Sequence, residues 1–143
     1  MATAPKYYFF DCGVLNALRG ELSLALKPSS YRYGKLFETL VINQLLAAND
    51  YLEAELKPYF WRTQSGAEID LILARGPGSS PRAIEIKSEQ TPELNTLRAL
   101  QSFKVEYPEA KLFCLCNTTS AYMLEDIVVL PWREGIRSVF DVK

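Results

Sequence analysis

The chain has 143 residues, of which 48% are hydrophobic and 23% charged, a composition typical of one folded globular domain. Its net charge of −1 excludes a global basic field that would draw it to nucleic acid or to an anionic membrane. The absence of histidine excludes Ser-His-Asp and Cys-His catalysis and removes the commonest zinc ligand. Carboxylates, lysine, hydroxyls and cysteines remain for chemistry.

The three cysteines, Cys12, Cys114 and Cys116, are odd in number and form no CxxC pair. We expect them to be small core residues in a reducing compartment. The sequence holds no secretory signal and no run of about 18 apolar residues. It therefore predicts a soluble cytoplasmic protein without a membrane segment, and it leaves the oligomeric state open.

The first 50 residues predict a lead-in segment followed by a long helix. Residues 1–30 contain an aromatic, strand-like run at Lys6–Asp11 and a short helix at Cys12–Arg19, which Gly20 ends. From Gly34 to Asn49 apolar residues recur at spacings of three and four, which predicts a helix. Glu38 falls inside its apolar arc, so the carboxylate either reaches the edge of the stripe or faces a polar pocket in the interior.

Three predicted strands follow, Pro58–Arg62, Ala67–Ala74 and Arg82–Lys87, with turns at Thr63–Gly66 and Arg75–Pro81. Alternation divides the second strand into one face with Glu68, Asp70 and Ile72 and another with Ile69, Leu71 and Leu73. The same rule sets Glu85 and Lys87 of the third strand opposite Ile84 and Ile86.

The second half of the chain predicts one helix and two strands. Thr91 is typical of an N-cap with Pro92 at the first helical position, and the helix ends at Pro108. Its apolar stripe consists of Leu94, Leu97, Leu100 and Phe103. Lys111–Cys116 and Asp126–Leu130 read as strands, and Trp132–Phe140 as a helical turn. The order α-β-β-β-α-β, with a crossover into the fourth strand, predicts an α/β (α+β) fold in which helices flank a mixed central β-sheet.

Glu38 on a helix, Asp70 on the second strand and Glu85-Ile86-Lys87 on the third form a pattern that resembles the PD-(D/E)XK nuclease superfamily. In that superfamily an acid, an aspartate and a Glu-x-Lys from these elements meet at one end of a sheet, in a restriction-endonuclease-like core. The segments YFFDCGVL, LFETLVINQLL, YFWRTQSGAEIDLIL and AIEIKS are similar to the C-terminal domain, of unknown function, of bacterial and archaeal AAA-type ATPases.

The resemblance covers about Lys6 to Leu130 and implies one nuclease-like domain over residues 1–143. Its parts are the lead-in (1–30), a core (31–131) and a C-terminal tail (132–143). The resemblance further implies a fragment or stand-alone copy of a larger ATPase, with DNA and the ATPase domain of the same or a related chain as partners.

The residue types suit metal-assisted phosphodiester hydrolysis, which needs a cation to neutralise the phosphate and an activated water. We expect Asp70, Glu85 and the Ile86 carbonyl to bind Mg²⁺ or Mn²⁺, which prefer oxygen ligands. Lys87 is expected to orient or help deprotonate the attacking water. Glu38 is expected to accept a hydrogen bond from a water in the metal's shell or to bind a second metal ion. Glu68 either extends this site or is a solvated hairpin residue.

Two other interpretations remain open at this stage. The acids and Lys87 would alternatively form a buried ion-pair cluster that fixes the sheet register. The domain would alternatively be an inactive module for nucleic-acid binding or for assembly and regulation of the ATPase. Basic residues with interleaved aromatic ones give weak support for phosphate contacts; they are Arg32, Lys35, Arg62, Arg75 and Arg82, with Tyr31, Tyr33 and Trp61.

Overall fold

The structure, a computed structural model, describes residues 8–63, 66–76 and 78–142. Its α-helices are α1 (Cys12–Leu18), α2 (Tyr31–Tyr51), α3 (Arg98–Glu106) and α4 (Trp132–Val139), with a 3-10 helix at Leu94–Leu97. Its strands are β1 (Lys57–Arg62), β2 (Glu68–Ala74), β3 (Arg82–Ile86), β4 (Lys111–Cys116), β5 (Tyr122–Leu124) and β6 (Ile127–Pro131).

The six strands form one mixed sheet in the order β1-β2-β3-β4-β6-β5. β1, β2 and β3 pair antiparallel, β3, β4 and β6 pair parallel, and β5 pairs antiparallel with β6. The α3 crossover between β3 and β4 makes their parallel pairing feasible. The predicted mixed sheet flanked by helices is confirmed.

Two apolar clusters fill the two faces of this sheet. The first lies beneath α2 and α4 and includes Val41, Ile42, Leu45 and Leu115, all fully buried. The second lies beneath α3 and includes Leu97, Leu100, Phe103 and Cys114. Helix α2 begins where the Ser30 side chain accepts the Tyr33 backbone N–H at 3.1 Å, which satisfies one orphan amide of its first turn.

A bulge in β2 makes the predicted alternation wrong. Tyr59 pairs with Ile72 and Trp61 with Ile69, so Asp70 and Leu71 together oppose the single residue Phe60. Ile69 and Ile72 consequently belong to the same cluster beneath α3, although alternation put them on opposite faces. Leu71 and Leu73 belong to the cluster beneath α2. On β3 the prediction that Ile84 and Ile86 share one face is confirmed, since both pack beneath α2.

Several boundaries differ from the sequence prediction. Residues 8–11 form no strand, and Lys6 and Tyr7 of the predicted aromatic run lie outside the described residues, as do Gln64, Ser65 and Pro77 of the two turns. The short helix is confirmed as α1, and Gly20 follows its end with a φ of +68°. The predicted N-cap at Thr91 is wrong: Thr91 and Pro92 are not helical, and α3 begins at Arg98 after the 3-10 helix.

Toward the C-terminus the fold is more regular than the sequence predicted. The short strand β5 was not foreseen, and the predicted turn in the tail is the two-turn helix α4. Cys114 and Cys116 are buried free thiols, as expected, whereas Cys12 is partly exposed. Within the described residues, every helix is too short or too polar to cross a lipid bilayer.

Candidate active site

Helix α2 carries Glu38 on its buried face, at 8% exposure. Its Oε2 atom accepts a hydrogen bond from Lys35 Nζ at 2.8 Å, one turn earlier on the same helix. Its Oε1 atom accepts a hydrogen bond from the Tyr8 hydroxyl at 3.2 Å. The sequence allowed this carboxylate either at the edge of the apolar stripe or in a polar pocket of the interior. The structure places it in the interior, with the Lys35 ammonium and the Tyr8 hydroxyl as hydrogen-bond donors.

Strands β2 and β3 separate at the level of Asp70 and Glu85. Their backbone pairing runs from Leu73 opposite Arg82 to Leu71 opposite Ile84 and stops there. Beyond it, Asp70 Oδ2 accepts the Ile86 backbone N–H at 2.8 Å, so a side chain replaces the ladder partner. The bulge that turns Asp70 toward the α2 side makes this substitution geometrically feasible.

Glu85 also lies where the β2–β3 pairing ends, but it belongs to the opposite face of the sheet from Asp70. It lies two residues after Ala83, on the same face of β3, and is paired with Cys114; Ala83 and Cys114 both belong to the cluster beneath α3. The side chain is 7% exposed, and Oε1 accepts a hydrogen bond from Lys87 Nζ at 2.9 Å. Oε2 is buried and accepts no hydrogen bond of ordinary distance and angle from any described residue. A buried carboxylate oxygen without a donor is costly unless another ligand satisfies it.

Lys87 follows the last residue of β3, and its backbone N–H continues the parallel ladder by donating to the Leu115 carbonyl at 3.0 Å. Its side chain is one-quarter exposed. Burial opposes the charged form, but the attached Glu85 carboxylate outweighs it and raises the pKa of Lys87 above its ordinary value. Lys87 is therefore a protonated donor at neutral pH.

Burial and neighbouring negative charge raise the pKa values of Asp70 and Glu85. Burial, followed by the charges of Glu85 and Glu38, raises the pKa of Asp70 to about 7, although the Ile86 N–H and Lys87 act in the opposite direction. Burial also raises the pKa of Glu85, against the opposing effects of Lys87 and of the Asp70 backbone N–H that faces it. Raised carboxylate pKa values mean that concentrated negative charge is costly here, and such perturbed clusters are typical of functional sites.

Two grooves adjoin Glu38. A cavity of about 250 Å³ separates the first turn of α2 from the end of β3 and is lined by Lys35, Glu38, Lys87 and Ser88, among others. A second cavity, of about 530 Å³, lies between the lead-in and α2 and is lined by Tyr8, Lys35 and Glu38, among others. The acid cluster therefore borders surface grooves with lysines on their walls.

Most of the basic residues singled out in the sequence are paired with acids instead of forming a phosphate-binding patch. Their salt bridges are Arg32–Glu21 at 3.2 Å, Arg62–Glu68 at 3.3 Å, Arg82–Asp141 at 2.8 Å and Lys35–Glu38 at 2.8 Å. Arg75 donates to the Ala54 carbonyl at 3.4 Å. Glu68 is tied to Arg62 on the neighbouring strand.

Sequence reasoning missed Tyr8 as a residue of the site. Burial, then the charges of Glu38 and Asp70, raise the pKa of its hydroxyl, so it stays a neutral donor. Tyr8 is 30 residues from Glu38 in the chain, and no local periodicity connects the two. The sequence pattern predicts Lys35 only as a phosphate contact, although its position one turn before Glu38 indicates an ion pair.

A divalent cation of this class needs oxygen donors that converge on one point. Among the described residues, no group of three or more cysteine, aspartate or glutamate side chains is arranged to hold a metal. Mg²⁺ needs less: it is commonly bound by one or two carboxylates and keeps several waters. Asp70 and Glu85 supply two carboxylates, and the Ile86 carbonyl follows Glu85 in the sequence. The buried Glu85 Oε2 atom accepts no hydrogen bond of ordinary distance and angle from the described residues. The residues fit such an ion.

Residues 33–134 match the model of a family described as "Domain of unknown function (DUF4143)". Two mycobacterial relatives are each 33% identical over 129 residues, which is 88% of this chain and 27% of the relative. They are the uncharacterized proteins Rv2008c of Mycobacterium tuberculosis and Mb2031c of Mycobacterium bovis. The chain spans about a quarter of the length of these relatives. Because the family model matches well over half of the sequence, the chain belongs to the DUF4143 domain family.

Proposed function

We propose that this chain is a metal-dependent nuclease domain of the PD-(D/E)XK type, which hydrolyses phosphodiester bonds in DNA. The observation that carries the proposal is the meeting of Asp70 and Glu85 where the β2–β3 ladder ends, with the Glu85 Oε2 atom buried and accepting no hydrogen bond of ordinary distance and angle from the described residues. The mixed sheet supports a restriction-endonuclease-like core, since both acids come from adjacent central strands.

Asp70, Glu85 and the Ile86 carbonyl would hold Mg²⁺ or Mn²⁺. When bound, that cation supplies neutralisation of the phosphate charge and a water of lowered pKa. A bound cation would favour the charged forms of Asp70 and Glu85 and so oppose the burial and the neighbouring charges that raise their pKa values. Metal binding would therefore relieve unfavourable interactions that the ionised acids have in the folded protein without metal.

Lys87 would orient the attacking water and stabilise charge that develops on the phosphate. Its raised pKa keeps it protonated at neutral pH, so it acts as a hydrogen-bond donor and not as a base in this arrangement. Glu85 holds its ammonium group in place at 2.9 Å. Glu38, fixed by Tyr8 and Lys35, would add negative potential beside the metal site.

We further propose that the domain works as part of an AAA-type ATPase, at its C-terminal end. One support is the resemblance of four segments to the C-terminal domain of AAA-type ATPases. Another is that the mycobacterial relatives are longer proteins, of which this chain spans 27%. DNA and an ATPase domain are then its partners.

The experiment is cleavage of labelled single- and double-stranded DNA with Mg²⁺ or Mn²⁺ by wild type, Asp70→Ala and Lys87→Ala. The matched control is Asp126→Ala, which removes an exposed acid just before β6. We expect cutting by wild type and by the control, and loss of about 100-fold or more in the two site variants. Intact DNA in all samples, or equal cutting by all four proteins, would overturn the assignment.

A second candidate function is an inactive module that binds nucleic acid or regulates and assembles the ATPase. One observation favours it: Lys87 and Lys35 are already paired with acids of the site, and the other candidate phosphate contacts are largely engaged. Such a module would bind its partner without metal and would leave every DNA substrate uncut.

A further inference from the structure

A third cavity lies on the opposite face of the sheet from Glu38. It has a volume of about 290 Å³ and opens between β1, β2 and the end of α3. Ile72 and Ala74 line it together with five aromatic residues: Tyr59, Phe60, Trp61, Phe103 and Tyr107. This volume lies just below the roughly 300–1,000 Å³ range of small-molecule pockets, so it suits a single side chain. We call it the aromatic pocket.

Three of the aromatic rings contact one another in sequence across the pocket. Trp61 meets Phe103 edge to face with centroids 5.5 Å apart, and Phe103 stacks on Tyr107 at 4.5 Å. The Trp61 indole Nε1–H donates to Glu106 Oε2 at 3.1 Å. Tyr59 and Tyr107 remain 46% and 38% exposed. The pocket therefore offers prearranged aromatic surface that the fold itself does not cover.

Charge at this pocket is negative. Glu109 lines it, and Glu106 is fixed at its Trp61 side. Glu106 also raises the pKa of Tyr107 through its charge and a hydrogen bond. No lysine or arginine is among the described residues that line the pocket. The nearby Lys104 is directed elsewhere, since its Nζ donates to the Ala110 carbonyl at 2.7 Å.

We propose that the aromatic pocket binds the guanidinium group of an arginine on a partner polypeptide. Aromatic faces attract cations, tryptophan most strongly, and a planar guanidinium also stacks on them. An apolar side chain would leave Glu106 and Glu109 facing an uncharged group. A quaternary ammonium would satisfy the rings but would offer the carboxylates no N–H donor. The chain already contains one such contact, because the Arg133 guanidinium lies 4.2 Å from the Trp132 ring centroid.

This site is separate from the acid cluster and does not depend on the proposed nuclease function. Ile72 and Phe103, which line it, belong to the cluster beneath α3, whereas Glu38 is carried by α2 on the other face. A peptide bound here would leave both grooves beside Glu38 accessible. The pocket is thus suited to docking of a partner.

The test is a titration of the isotope-labelled protein with the blocked peptide acetyl-Gly-Arg-Gly-amide, followed by NMR at the two indole N–H signals. The Trp132 signal is an internal reference, since that ring already carries a guanidinium. The peptide with citrulline in place of arginine has the same shape without the charge, and choline supplies a quaternary ammonium. The variants are Glu106→Gln, which keeps an acceptor for the Trp61 indole, and Glu109→Gln. Glu125→Gln removes an exposed acid elsewhere as the charge-matched control.

We expect the arginine peptide to shift the Trp61 signal saturably and the Trp132 signal little. Glu106→Gln and Glu109→Gln should each weaken the affinity by roughly 2- to 30-fold, the range expected for contacts of this kind, while Glu125→Gln should not. The proposal is overturned if the Trp61 signal does not move. It is also overturned if citrulline or choline binds as well as arginine, or if Glu125→Gln weakens binding as much as the pocket variants.

Discussion

Asp70 Oδ2 accepts the backbone N–H of Ile86 at 2.8 Å, in the place where the next residue of β2 would otherwise pair with β3. The Asp70 carboxylate thus replaces a backbone partner at the point where the hydrogen-bonded pairing of β2 with β3 ends. The hydrogen bond favours the charged form of Asp70, yet burial and the charges of Glu85 and Glu38 prevail and raise its pKa to about 7. The ionised form of Asp70 therefore lowers the free energy of unfolding of the protein.

Asp70→Asn should therefore stabilise the protein at pH 8. A carboxylate whose pKa rises from 3.8 unfolded to about 7 folded binds more protons in the folded state across that window. Its contribution to the free energy of unfolding is greatest below pH 4 and falls as the pH rises to 7. The variant keeps an oxygen acceptor for the Ile86 N–H and loses the charge, so we expect a gain of about 1–3 kcal/mol at pH 8.

Thermal and urea unfolding in metal-free buffer at pH 5 and pH 8 measures this difference. Near pH 5 Asp70 is mostly protonated in the folded protein, so the variant should gain much less there. A loss of stability of similar size at both pH values would indicate that Asp70 serves as a structural ion-pair partner, as the buried-cluster interpretation holds.

Glu38→Gln should lower the pKa of Asp70. Glu38 is one of the two acids whose charges raise it, and the amide retains acceptor and steric properties close to those of the carboxylate. Carboxyl-carbon NMR titration of Asp70 reports the change directly. Glu93→Gln, an exposed acid before the 3-10 helix, is the control and should leave the Asp70 titration in place. An unchanged Asp70 titration in Glu38→Gln would show that the two acids are not coupled.

Asn49→Ala should destabilise the fold by about 2–4 kcal/mol. Its buried amide donates to the Leu56 carbonyl at 3.0 Å and accepts the Leu56 N–H at 3.1 Å, which joins the end of α2 to the segment before β1. Alanine would leave both backbone groups unsatisfied in the interior. Gln44→Ala, at an exposed position of the same helix, should change stability by less than about 0.5 kcal/mol in urea unfolding. Equal effects of the two substitutions would contradict this role.

Gly135→Ala should also destabilise, by about 1–3 kcal/mol, although alanine is the better helix former. A Cβ at this buried position of α4 would overlap the Leu115 side chain, which is itself fully buried on β4 and has little room to move. Arg137→Ala, at an exposed site of α4, is the control for the same measurement. A stabilised Gly135→Ala protein would show that α4 shifts away from β4 at little cost.

Sequence patterns located the elements that carry the site but not its geometry. The three-and-four spacing around Glu38 and the apolar runs around Asp70 and Glu85 are local signals, and α2, β2 and β3 form where those signals lie. The bulge opposite Phe60 depends on pairing between strands, so a period of two could not reveal that Asp70 turns to the α2 side.

Other misses have similar causes. Thr91 and Pro92 carry good cap chemistry, but Thr91 lies in a bend, Glu93 is extended, and a 3-10 helix begins only at Leu94. Strand β5 has only three residues and pairs at the edge of the sheet, so its sequence is not distinctive. Tyr8 joins the site through a tertiary contact alone. Burial against distant residues, and not local propensity, decided each case.

The most direct test of the metal site is calorimetric titration of Mn²⁺ into wild type, Asp70→Asn and Glu85→Gln at pH 7.5. We predict that wild type binds the ion and that each variant weakens binding by at least about tenfold. Because the pKa of Asp70 is about 7, binding should also release part of a proton and give a heat that depends on the buffer. Binding that is absent from wild type, or equally strong in all three proteins, would contradict a metal site at Asp70 and Glu85.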